Sequence, residues 1–155
     1  MSNSTRATTL DDVSKAIVEQ LQTDGRKSYS DIGRAVELSE AAVRQRVQKL
    51  IESGVMQIVA VTDPMTLGFN RQAMIGIRTS GDARIVADRL SAIRSVEYVV
   101  LTAGSFDIMV EVVCHDDDAL LELLNGTIRM IPGVVDTEVF TYLQLKKQQY
   151  NWGTM

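Results

Sequence analysis

The chain has 155 residues, 45% of them hydrophobic and 23% charged, with a formal net charge of −4. This is ordinary globular composition, so collagen-like, low-complexity and wholly disordered chains are excluded. No apolar run approaches the ~18–20 residues needed to span a bilayer, and the polar start, Met1-Ser2-Asn3-Ser4-Thr5, lacks the apolar stretch of a signal peptide. The expectation is a cytoplasmic protein with no membrane partner.

Cysteine and histidine counts exclude further classes. Cys114 and His115 are the only residues of their kinds. A zinc site needs several such ligands, and adjacent residues on a strand point to opposite faces. A buried cysteine beside a surface histidine is therefore expected. A Ser-His or Cys-His triad would have to use His115, with no third member in view. The sequence thus offers no catalytic residue, no metal site and no cofactor motif.

Charge is unevenly spread. Residues 1–60 carry eight cations against eight anions, whereas residues 61–155 carry eight against twelve. Between Arg26 and Lys49 six cations face only Asp31, Glu37 and Glu40. An acidic chain argues against a non-specific nucleic-acid coat, but a local basic face suits a small sequence-reading module.

From Leu10 to about Ser53 the periodicity is helical. Leu10, Val13, Ile17 and Leu21 form one stripe that closes near Asp24-Gly25. A short second helix follows Ser28 or Ser30 and uses Ile32, Ala35 and Val36. After the turn Glu37-Leu38-Ser39, Ser39 is a candidate N-cap for a third helix, Glu40 to about Ser53, ended by Gly54. Two helices joined by so short a turn have the spacing of a helix-turn-helix.

Beyond this the period changes. Val55–Val61 reads as a strand and Asp63–Gly68 as a turn-rich linker. A strand Ala73–Arg78 and a helix carrying Val86, Leu90 and Ile93 follow. Strands Val96–Ala103 and Asp107–Cys114 are joined by Gly104-Ser105-Phe106. A helix opened by Asp116-Asp117-Asp118 carries Leu120, Leu124, Ile128 and Ile131, with Asn125-Gly126 as a tolerated irregularity, and Val134–Leu143 is the last strand. The order βαββαβ predicts a ferredoxin-like antiparallel sheet with both helices on one face. The expected fold is α+β: a (winged) helix-turn-helix over 1–54, a strand and linker over 55–70, a βαββαβ domain over 71–145 and a tail over 146–155. Val99-Val100-Leu101, Ile108-Met109-Val110 and Val112-Val113 are apolar at successive positions, so an apolar uncovered face is expected to pair with another copy.

On the third helix Val43, Val47 and Leu50 share one face. The other carries Ala41, Gln45, Gln48, Lys49 and Glu52, flanked by Arg44 and Arg46. Arginine bonds guanine bidentately and glutamine does the same to adenine, so double-stranded DNA is the expected partner. Lys27, Ser28 and Ser39 lie at helix starts, suited to phosphates. The alternative is a solvated polar face of a surface helix.

The run Leu10-Asp11 to Ile17, Leu21 to Ser28, Leu38-Ser39, Val43, Arg46-Val47, Leu50 and Gly54-Val55 resembles the N-terminal half of the Lrp/AsnC ("feast/famine") transcription regulators. Leu67-Gly68, Ala103–Asp107 and Ile131-Pro132-Gly133-Val134 resemble that family's ligand-sensing domain. The chain departs from the family at Ser14 (usually acidic), Gly33 (usually alanine) and Glu37 (usually glycine). The resemblance implies homodimers that assemble further, often to octamers, and a small effector, typically an amino acid, bound between sensing domains. Gly104 and Asp107 match the family's loop motif. With Ser105, Phe106, Phe140 and Tyr142 they form the candidate effector site. Asp107 has two readings, an acceptor for a ligand ammonium group or a cap for its own loop. An enzyme akin to the haem-pathway decarboxylases of related fold, and a sensor with a decayed DNA-binding half, are the alternatives. The first would want converging cations that this acidic half does not advertise, and the Ser39 cap with Arg44-Gln45-Arg46 speaks against the second.

Overall fold

A computed structural model describes residues 10–148. Met1–Thr5 and most of the expected 146–155 tail lie outside them. The chain divides into two compact units, one holding the described residues up to Ala60 with Lys147 and Gln148, the other Val61–Lys146.

The first unit is built of α1 (Asp12–Thr23), α2 (Tyr29–Ala35) and α3 (Glu40–Glu52). Each starts where a short polar side chain accepts an N–H that the helix itself leaves unpaired. Asp11 accepts from Ser14, Ser28 from Asp31 and Ser39 from Ala42. Ile17, Leu21, Ile32, Val43 and Val47 form one buried cluster, against which Val13, Tyr29, Val36, Leu38 and Met56 pack. Gly54, at φ +71°, ends α3. Its N–H reaches the Ile51 carbonyl and that of Val55 the Leu50 carbonyl, each at 3.0 Å, which is the Schellman arrangement.

The turn between α2 and α3 inverts the usual residue choice. Glu37 takes the left-handed conformation at φ 56°, where glycine is the unstrained residue. Gly33 sits where a Cβ would lie 2.5 Å from the Leu38 carbonyl oxygen, and Leu38 N–H bonds the Gly33 carbonyl at 2.8 Å. The second helix thus crosses the turn backbone at a distance only glycine allows.

One expected element is missing. Val55–Val61 is not a strand, and residues 56–63 carry no regular structure, so the helix-turn-helix has no wing among the described residues. Strand conformation is stabilised by pairing, and no neighbouring strand pairs with this segment. Its β-branched residues stay exposed, Val59 at 65% and Val61 at 59%.

The second unit holds β1 (Arg71–Thr79), α4 (Ala83–Ser91), β2 (Val96–Leu101), β3 (Ile108–Cys114), α5 (Asp117–Glu122) and β4 (Val134–Thr141). The sheet order is β2-β3-β1-β4, every neighbouring pair antiparallel. Ala73, Ile75 and Ile77 of β1 and Ile108, Val110 and Val112 of β3 are buried with Val86, Leu90, Leu124 and Ile128. The predicted second helix is broken in three: α5 passes into a π turn over Leu123–Thr127 and a 3-10 turn over Ile128–Met130. Apolar residues spaced by four overshoot an ideal α-helical face by about 40° per step, and a wider π turn takes up that drift, leaving Leu124 and Ile128 buried. Gly126 lies within it, where a Cβ would meet Glu122 Oε1 at 2.5 Å.

Register also revises the expected two-sided apolar sheet. Val99 pairs with Val110 on the helix-covered face, and Val100 with Met109 on the other. That other face carries Met74, Val100, Met109, Val113 and Phe140, but it is crossed by a Gln72–Glu111 hydrogen bond of 2.8 Å and an Arg78–Asp136 ion pair of 2.5 Å. The apolar surface is real but interrupted, because half of each apolar run turns inward under the period-two rule.

Candidate nucleic-acid interface and effector loop

On α3, Val43, Val47 and Leu50 are buried, while Ala41, Arg44, Gln45, Gln48 and Lys49 are exposed. Gln45 and Lys49 bond no other described residue. Gln48 donates to Glu52 at 2.8 Å. Arg44 donates from Nη2 to Glu40 Oε1 at 2.8 Å, and its guanidinium lies 5.2 Å from the centre of the Tyr29 ring.

Arg46 is placed differently from its neighbours. Its Nη1 donates to Asp11 Oδ2 at 2.7 Å and to Ser14 Oγ at 3.0 Å, tying α3 to the start of α1. The Arg46 bond, with those from Ser14, holds the Asp11 carboxyl down at about 2. Ser14, where the family usually has an acid, is buried and supplies the hydroxyl for this strut.

Lys27 Nζ bonds Gln20 Oε1. Ser28 Oγ accepts from Asp31 N–H at 3.1 Å and donates to the Asp31 carboxylate at 2.6 Å, which with Arg34 lowers the Asp31 pKa. Ser39 Oγ is likewise engaged as a cap at 3.2 Å. Lys27 and Ser28 line a shallow depression with Gly25, Arg26, Tyr29 and Ile58.

In the second unit the loop after β2 is clipped to β1. Asp107 Oδ2 accepts from Thr79 N–H at 2.7 Å and Thr79 Oγ1 at 3.1 Å, so one carboxylate oxygen serves the end of the neighbouring strand. Phe106 folds back over Gly76, where a Cβ would sit 2.6 Å from its ring. Arg78 stacks 5.0 Å from the Phe106 ring centre and donates to the Ser105 carbonyl at 2.9 Å. Phe140 meets Phe106 edge-on at 6.1 Å. Gly104 is exposed, with nothing within 4 Å of where its Cβ would stand. Tyr142 stands apart beside Glu111, and burial, with that carboxylate, pushes its phenol up to about 12.

Sequence reading missed Gly76, Arg78, Thr79 and Asp136. Their roles depend on pairings 27 to 58 residues apart in the chain. The one signal available was a glycine inside an otherwise apolar strand, which often marks a close approach.

Cys114 is buried and His115 exposed, as expected. Burial, then Asp116, raises the Cys114 thiol, and the His115 ring stacks on Phe69 at 4.4 Å. Among the described residues no three potential metal ligands cluster, and no helix is long and apolar enough to cross a membrane.

Comparison with known proteins gives this arrangement its relatives. Residues 10–51 match the AsnC-type helix-turn-helix domain, and residues 69–155 match a C-terminal dimeric alpha+beta barrel domain. The chain is 32% identical to the HTH-type transcriptional regulator FL11 of Pyrococcus furiosus, over 90% of this chain and 93% of that protein. The crystal structure of the leucine response regulatory protein LrpA of Mycobacterium tuberculosis superposes with a TM-score of 0.82 at 29% identity, covering 90% of this chain and 96% of that one. The fold is also that of the regulator NMB0573 of Neisseria meningitidis, solved as a complex with L-Met (TM-score 0.80, 24% identity, 91% and 94% covered). The two matched domains and the full-length relatives together establish that the chain belongs to the AsnC/Lrp family of helix-turn-helix transcriptional regulators.

Proposed function

We propose that this regulator reads a specific DNA operator through α3 and that its binding answers to a small effector, an amino acid or a related metabolite. The observation that carries the first part is the exposed face of α3. Ala41, Arg44, Gln45, Gln48 and Lys49 stand opposite the buried Val43, Val47 and Leu50, and Gln45 and Lys49 are uncommitted. Such side chains suit base edges in the major groove. Lys27, Ser28 and Ser39 lie at helix starts where phosphates would be held. Arg46, bonded to Asp11 and Ser14, braces the reading helix from behind.

The second unit is the assembly and sensing half. Its uncovered sheet face pairs two copies into a homodimer, and dimers associate further, to an octamer in the full assembly. The effector binds at Gly104, Ser105, Phe106 and Asp107, with Phe140 and Tyr142 nearby. A protein of the same fold binding L-Met supports an amino acid. One Asp107 oxygen serves Thr79, which leaves the other for a ligand ammonium group. The decarboxylase alternative is disfavoured by side-chain commitments. Arg71, Arg78 and Arg84 are ion-paired with Asp117, Asp136 and Asp82, so the cations an acidic tetrapyrrole would need are engaged.

The test is footprinting beside calorimetry. Arg44→Ala and Gln45→Ala should each weaken operator binding by about 1–3 kcal/mol without unfolding the protein. Titration of amino acids into wild type and Asp107→Ala, with mass followed by light scattering, addresses the effector. Unchanged sequence preference in both α3 variants refutes the reader. Equal affinity for every ligand in wild type and Asp107→Ala refutes the site.

A further inference from the structure

The base-reading face of α3 contains an acid. Glu40, in the first turn, is exposed at 53% of its side chain and bonds Arg44 one turn later, itself 62% exposed. An unpaired carboxylate on a surface that meets phosphates would repel them. Here the charge is balanced by Arg44, and the pair together is neutral. The Arg44 guanidinium is also stacked on Tyr29, the first residue of α2. Three side chains from two helices therefore fix a flexible arginine in one place.

We propose that Glu40 and Arg44 read DNA as one unit, Arg44 bonding a guanine and Glu40 the N4 amine of a cytosine, with Tyr29 as a positioning residue for the guanidinium. This rests on α3 being the reading helix. The chemistry follows from what each atom has left. Arg44 Nη2 and Glu40 Oε1 are bonded to each other, which leaves Glu40 Oε2 to accept and the remaining Arg44 N–H groups to donate. A carboxylate can only accept. Cytosine presents an amine and no acceptor in the major groove, whereas guanine and thymine present acceptors and adenine sets N7 beside its amine. Glu40 therefore selects cytosine and rejects the other bases. Tyr29 and Glu40 hold the arginine before DNA arrives, so less side-chain freedom is lost on binding.

The experiment starts from the operator that the wild-type protein selects from a randomised duplex pool, with each base pair then changed in turn. Wild type should show one guanine and one cytosine whose replacement weakens binding about tenfold or more. Glu40→Gln should lose the cytosine preference and keep that for guanine. Tyr29→Leu should lower guanine discrimination several-fold, and Tyr29→Phe should restore it. Uniform tightening on every sequence in Glu40→Gln would make Glu40 a mere repeller of phosphates and overturn the proposal. A lower melting temperature with unchanged base preferences would also overturn it, leaving a helix-stabilising ion pair. If Arg44→Ala and Gln45→Ala keep the wild-type preferences too, the failure is that of α3 as reader. If they lose them while Glu40→Gln does not, only the paired reading fails.

Discussion

Gly33→Ala separates local propensity from tertiary structure by sign. In the middle of an exposed helix alanine is preferred over glycine by about 1 kcal/mol, so propensity alone predicts stabilisation. The structure predicts the reverse. The new Cβ would stand 2.5 Å from the Leu38 carbonyl oxygen and 3.5 Å from the Leu38 and Ser39 carbonyl carbons. All three are backbone atoms, so relief requires moving the turn and its 2.8 Å bond from Leu38 N–H to the Gly33 carbonyl. Overpacking of this kind costs about 1–3 kcal/mol. After the propensity gain, a net loss of up to about 2 kcal/mol remains. Glu37→Gly acts oppositely. A non-glycine residue at φ 56° carries about 1–2 kcal/mol of strain, partly offset by the extra freedom glycine gives the unfolded chain, so a gain of about 0.5–1 kcal/mol is expected. The double variant carries the residues usual in the family. A glycine turn can shift to accept the Cβ, so its stability should exceed the sum of the single effects. Thermal melts of the four proteins, followed by helical circular dichroism, measure all three quantities. A Gly33→Ala protein melting above wild type would refute the steric reasoning, and strict additivity would refute the coupling through the turn.

Other perturbations probe each unit. The Asp11 carboxyl is held at about 2 when folded against 3.8 ordinarily, chiefly by Arg46. A lowered folded pKa means stability present above about pH 4 and lost as pH falls toward 2, so urea midpoints should drop across that window in wild type and less in Asp11→Asn. Val47 is 1% exposed, and Val47→Asp buries a charge with no partner. It should abolish DNA binding and the α1–α3 helical signal while the second unit still assembles, and normal operator affinity would show the helix face is set wrongly. Gly76→Val places its Cβ 2.6 Å from the Phe106 ring. It should expel that ring, lower the melting point of the second unit by the equivalent of about 1–3 kcal/mol and weaken any effector held at residues 104–107. An unchanged melt and unchanged affinity would contradict the clip.

The sequence by itself determined the elements whose signals are local. Helix stripes such as Ile17 and Leu21, or Val43, Val47 and Leu50, and the caps Ser28, Ser39 and Gly54, express interactions within a few residues, so spacing alone revealed them. The order βαββαβ and the family likeness followed from the same regularities. Tertiary structure decided whatever depends on partners far along the chain. Val55–Val61 has strand composition and no strand to pair with. Val99 and Val100 divide between faces only once β2 is registered on β3. Arg46 and Arg44 look alike on a helical wheel, yet Asp11 lies 35 residues from the first, while Glu40 and Tyr29 hold the second. The loop motif at Gly104–Asp107 was legible, but its clip of Gly76, Arg78 and Thr79 was not. Hydrophobic spacing records which way a residue faces, whereas a charged or hydrogen-bonding side chain is assigned its role by the group the fold brings beside it.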